Sequence, residues 1–100
     1  MADPIRLYAP YARAAAMVTR DGIVEKTKNI LRVEKVGTGT YKVIIAETVD
    51  VTHAALQVTA DSGANWGTEV YVHSLGPHVV QVLTGKNGTE AAQPFHIAVL

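Results

Sequence analysis

Thr68-Glu69-Val70-Tyr71-Val72-His73, then Ser74-Leu75-Gly76-Pro77, then His78-Val79-Val80-Gln81-Val82-Leu83, is the stretch that decides the fold. The first run alternates apolar and polar positions, and the second, rich in valine, reads as a strand beyond a turn signal. That period of two belongs to strands with one face buried. A second turn signal, Gly85-Lys86-Asn87-Gly88-Thr89, follows directly. Asn-Gly is a preferred two-residue hairpin turn, because both positions accept positive φ. Asn87-Gly88-Thr89 also fits the N-glycosylation pattern, and either reading puts it at the surface.

The same pattern extends toward the end of the chain. Pro94-Phe95-His96-Ile97-Ala98-Val99-Leu100 alternates as a half-buried strand. Chain ends fray unless something ties them down. This strand is therefore expected at a sheet centre or against a partner subunit. Toward the start, Tyr41-Lys42-Val43-Ile44-Ile45-Ala46 suits a central strand, and Gly37-Thr38-Gly39-Thr40 is a tight link before it. Asn29 to Val36 alternates, with Leu31 and Val33 on one face and Arg32 and Glu34 on the other. Thr19-Arg20-Asp21-Gly22 is a hairpin signal. It links Ile23-Val24-Glu25-Lys26 to the alanine-rich run Tyr11 to Val18, which reads as a strand although its alanines would suit a helix. Pro4 and Pro10 bracket an apolar arm, which proline confines to an edge.

About eight strands at regular spacing predict an all-β fold: a compact antiparallel β-sandwich, jelly-roll-like, over residues 11–100. Residues 1–10 form the N-terminal arm. The expected core is Leu31, Val33, Tyr41, Val43, Ile45, Leu56, Val58, Val70, Val72, Val80, Val82, Phe95, Ile97 and Val99. Each such side chain contributes roughly 1.5–3 kcal/mol when buried.

Composition narrows the function. The 100 residues are 48% apolar and carry nine basic and nine acidic side chains, a net charge of zero. A nucleic-acid or anionic-membrane binder needs a basic surplus, so neither class is expected. Cysteine is absent, which removes disulfides, thiolate metal sites and a cysteine nucleophile. The start does not read as a signal peptide, and no apolar run is long enough to span a bilayer. Ser62 and Ser74 lie in turns without a nucleophile-elbow context, and Gly37-Thr38-Gly39 lacks the spacing of a phosphate loop. No catalytic residue and no cofactor are expected.

Three groups of residues remain as candidates. Trp66 lies in the most polar loop with Asp61, Ser62 and Asn65. An aromatic ring that stacks, beside polar groups that orient, suits a carbohydrate or a cell-surface protein. The other reading is a tryptophan folded back to plug one end of the sandwich. His73 and His78 flank a turn; across a hairpin they would lie roughly 5 Å apart and could share a metal, or else be two surface histidines. Finally, several strands look apolar on both faces, and a two-layer sandwich buries only one face of each. Val79, Leu83, Ile44, Ala98 and Leu100 are therefore candidate interface residues, with Tyr8 and Tyr11 as arm anchors. The expected partner is the chain itself, as a homo-oligomer and most plausibly a trimer.

ARAAAMVTRDGIVEKTKNILRVEKVGTGTYKVII at residues 12–45 and the final PFHIAVL resemble small, uncharacterised bacterial β-sandwich domains of actinobacterial type. Such domains stand alone or close the C-termini of surface-exposed and phage tail-fibre-like proteins. The resemblance covers about Tyr11 to Leu100. It implies an extracellular or virion-associated setting and carries no agreed catalytic residues. These domains often have cysteines near the positions of Lys42 and His53; this chain has neither. A looser, architectural likeness is to C1q- and TNF-like jelly rolls. The function expected is a non-enzymatic structural, self-assembling module, with a lectin-like or receptor-binding domain as the alternative.

Overall fold

The computed structural model describes residues 5–7 and 9–100. Its strands are β1 (Ile5–Arg6), β2 (Ala14–Val18), β3 (Val24–Lys28), β4 (Ile30–Gly37), β5 (Thr40–Ile45), β6 (Leu56–Ala60), β7 (Thr68–Gly76), β8 (Val79–Lys86), β9 (Thr89–Glu90) and β10 (Phe95–Val99). They form two packed sheets, a β-sandwich with no helix among the described residues. The first sheet has the order β1-β3-β2-β10-β6. The second has the order β4-β5-β8-β7, with β9 paired to β8.

β10 lies inside its sheet, antiparallel to β2 on one side and to β6 on the other. Phe95, Ile97 and Val99 all point into the core and are buried. The Phe95 ring meets Tyr41 of the opposite sheet edge-on, with centroids 5.1 Å apart and planes at 60°. Edge-to-face contact suits the aromatic quadrupole and adds to the area buried. The Tyr41 hydroxyl donates to the Arg20 carbonyl at 2.6 Å, so the polar end of this buried ring is satisfied. Burial holds its phenol above the ordinary range.

The alanine-rich segment is a strand, not a helix. Ala14, Ala16 and Val18 face the core, and Ala15 pairs with Ala98 on the outer face. The Asp-Gly and Asn-Gly signals are both turns. Asn87 and Gly88 have φ of 52° and 83°, the paired positive values of a type I′ hairpin. Gly39 is required for a closer reason: a Cβ there would sit 2.3 Å from the Thr84 carbonyl oxygen, at a φ of +74°. Asn29, at φ 57°, links β3 to β4 and so carries the chain from one sheet to the other.

Several expectations need correction. Leu31 is 61% exposed, and Ile30 is buried in its place. The cause is a bulge between Ile30 and Arg32, which breaks the strict alternation read from the sequence. Val49 and Val51 are buried core residues in the link 46–55, which reads as a loop from its polar content. The strands of residues 11–100 pair antiparallel as expected, and the N-terminal arm adds β1 at the sheet edge, parallel to β3. The remaining expected core residues are buried or packed against the core. No helix among the described residues is long and apolar enough to cross a membrane.

Phe95→Ala opens a cavity under Tyr41 and is expected to destabilise the domain by about 3–5 kcal/mol. Urea denaturation measures it; a loss under about 1 kcal/mol would show that the inter-sheet ring contact is dispensable.

Candidate binding surfaces

The loop 61–67 joins β6 of the first sheet to β7 of the second. Its polar side chains mostly serve its own shape. The Asp61 carboxylate accepts from the Gly63 amide at 2.9 Å with one oxygen and pairs with His96 Nε2 at 2.7 Å with the other. The Gly63 amide bond first, and the His96 bond second, hold Asp61 below the usual carboxylate range. The Ala64 amide donates to the Asp61 carbonyl, and the Asp61 amide to the Pro94 carbonyl.

Gln93 supplies the deepest anchor. It is 2% exposed. Its Oε1 accepts from the Asn65 amide at 3.3 Å and from Arg20 Nη2 at 3.2 Å, and its Nε2 donates to Asn65 Oδ1 at 3.1 Å. Arg20 also donates to the Gly63 carbonyl at 2.8 Å and to Asn65 Oδ1 at 3.3 Å. A buried amide with its lone pairs and protons placed in this way is satisfied, and losing any partner would cost desolvation energy. Gly67 closes the loop at φ +81°, where a Cβ would run into the Asn87 side chain.

On this tied-down loop Trp66 is 96% exposed. The reading of a tryptophan folded back to plug the end of the sandwich is corrected: its ring faces water. Asp61, Ser62, Ala64, Asn65 and Trp66 line an open cleft of about 400 Å³. The structure thus brings all four predicted ligand-binding residues to one place. Sequence reading missed Arg20, Gln93 and His96, the residues that hold the loop. They lie 73 to 28 positions away from their partners, beyond any local pattern.

The two predicted metal-ligating histidines do not face each other. β7 continues through Ser74 to Gly76, past a bulge, so the turn is at Pro77 and His78. His73 pairs with Gln81. The His78 ring nitrogen Nδ1 meets the Val49 carbonyl at 2.8 Å instead. No group of three or more potential ligands clusters among the described residues.

The predicted interface residues divide between two faces. Ile44, Val79 and Leu83 are half-buried on the outer face of the second sheet. Ala98 lies on the outer face of the first, in a shallow groove that Leu7 of the arm also lines. The arm is held there by Lys28, whose Nζ donates to the Ala9 and Ala12 carbonyls at 2.7 Å each. Leu100 is exposed just beyond β10, and Tyr11 is 93% exposed. Tyr8 lies outside the described residues.

No family model, curated protein or solved structure matches this chain.

Two outcomes are expected of the loop. Gln93→Ala should cost roughly 1–3 kcal/mol in urea denaturation, the penalty of unpairing buried polar groups, and lower the fluorescence anisotropy of Trp66, the one tryptophan. Unchanged anisotropy would contradict the anchor. Because the folded Asp61 pKa is depressed, its tie is present in full above the unfolded value of about 3.9 and is lost as pH falls through the folded one. Acrylamide quenching of Trp66 should therefore stay constant from about pH 7 to 5 and change below about pH 4, and Asp61→Asn should flatten that change.

Proposed function

We propose that this chain is a non-enzymatic binding module that works as a homo-oligomer, with the Trp66 loop as its contact to a carbohydrate or a cell-surface protein. The observation that carries the reading is the solvent-facing Trp66 ring on a loop tied to the buried Gln93. A free indole face stacks on the apolar face of a sugar ring or on an aromatic or proline side chain. Prior anchoring lowers the ordering cost of binding. Ser62, exposed at the cleft rim, leaves a hydroxyl for orientation.

The chemistry of the site favours binding over catalysis. A general acid needs a raised pKa. Asp61 has the opposite, with both oxygens engaged in holding the loop. One aromatic contact is weak, and presentation in several copies multiplies it without new contacts. A jelly-roll-like module at the tip of a tail-fibre-like or surface protein, the kind of domain the sequence resembles, would use both properties.

Glycan-array binding by the wild-type chain, lost in Trp66→Ala with unchanged thermal stability, is the expected result. A Trp66→Ala protein that binds as well as the wild type would remove the loop from the function.

A further inference from the structure

The outer face of the second sheet carries its charges unevenly. Paired residues share a face, so the register writes the outer surface as rows across the strands. One row runs Arg32, Ile44, Val79, Gly76 across β4, β5, β8 and β7. The next runs Glu34, Lys42, Gln81, His73, and the third Gly37, Thr40, Leu83, Tyr71. The last runs Glu69, Gly85, Glu90 across β7, β8 and β9. The two permanently charged bases of this face, Arg32 and Lys42, both serve Glu34: Arg32 bonds it at 2.8 Å, and Lys42 is its partner in the register. Lys86, paired with Thr68, alternates to the other face. Among the described residues, no base lies within ion-pair distance of Glu69 or Glu90.

These two acids line a cleft of about 190 Å³. Gly85 puts no side chain between them, and Leu83 and Tyr71 of the neighbouring row line its apolar side. Neighbouring strands are about 4.8 Å apart, so the two backbone positions lie roughly 10 Å from each other. Glu69 is half-buried and held in place. One of its oxygens accepts from the Gly88 amide and the other from the Tyr71 hydroxyl, at 3.2 Å. That bond, with the charge of Glu69, holds the Tyr71 phenol above its ordinary range, so the phenol remains the donor. A carboxylate accepts at about four lone-pair sites, and these two bonds leave acceptors free. Glu90 is exposed at the rim.

We propose that this cleft takes an arginine side chain of a partner polypeptide, with the guanidinium between Glu69 and Glu90 and the methylene stem along Leu83 and Tyr71. Size and charge together select that occupant. Pockets for cofactors and other small molecules run to about 300–1,000 Å³, so this one suits a single side chain. Two carboxylates without a counter-charge call for a cation, and no group of three potential metal ligands gathers among the described residues. A planar guanidinium forks onto a carboxylate and stacks on an aromatic ring, which a compact ammonium does less well. A cation over a phenol face is attracted by the ring quadrupole. The stem of an arginine covers apolar surface while its head stays with the charges. The site uses none of the Trp66 loop and stands whether or not that loop binds a sugar.

The test is an NMR titration of the isotope-labelled full chain with the blocked tripeptide acetyl-Gly-Arg-Gly-amide. Its citrulline counterpart, which keeps the shape without the charge, and its lysine counterpart are the controls. Saturable shifts are expected at the Glu69, Tyr71, Gly85 and Gly88 amides with the arginine peptide, weaker ones with lysine and none with citrulline. Raising the salt from about 50 mM to about 500 mM should weaken the binding. Glu69→Gln should weaken it about tenfold, but that carboxylate also holds the hairpin. Glu90→Gln, at an exposed position, should weaken it about two- to fivefold, the scale of an exposed ion pair. Shifts that are absent or do not saturate overturn the site, as do equal binding of the citrulline peptide and wild-type affinity in Glu90→Gln. Equal binding of the lysine peptide overturns the assignment to arginine.

Discussion

The structure depends on one strand held on three sides. β10 bonds to β2 and β6 along its length, while its inward row, Phe95, Ile97 and Val99, meets the opposite sheet. The Phe95–Tyr41 contact joins the two sheets near the end where the Trp66 loop lies. Directly before β10 stand Gln93 and Pro94, both buried, whose polar groups hold that loop. Core and candidate site are therefore consecutive in the chain. β10 thus follows directly on the residues that fix the loop carrying the exposed Trp66 ring.

This arrangement separates two tasks. Apolar burial, non-directional and proportional to area, holds the sheets together. Directional bonds from Arg20, Gln93 and His96 hold the loop. Trp66 contributes nothing to the core and is free to vary in what it meets. The outer face of the second sheet follows a third rule, since neither core packing nor loop anchoring explains its alternating apolar and polar rows. On the first sheet, the arm clasped by Lys28 occupies part of the corresponding face.

The sandwich was legible because its signals are local. Alternation in 68–83 and 94–100, with Asp-Gly and Asn-Gly turns, needs no knowledge of distant residues. Reading stopped where geometry departs from strict alternation. The bulge at Leu31 turned an expected core residue outward, and the bulge at Leu75 lengthened β7 enough to separate His73 from His78. The loop was legible by composition, through Asp61, Ser62, Asn65 and Trp66. Its anchors were not, because an arginine beside a turn and a glutamine beside a proline carry no local mark of a shared partner. The rows of the second sheet emerge only once register is known, since Glu34 and His73 are far apart in sequence and on separate edge strands.

The central claim is that the rigid frame of β10 extends through Gln93 into the loop that displays Trp66. Amide hydrogen exchange followed by NMR tests it most directly. The account predicts the slowest exchange at Phe95–Val99 and clear protection at the Ala64 and Asn65 amides, although they flank an exposed tryptophan. Free-chain exchange at Ala64 and Asn65 beside a protected β10 would contradict it.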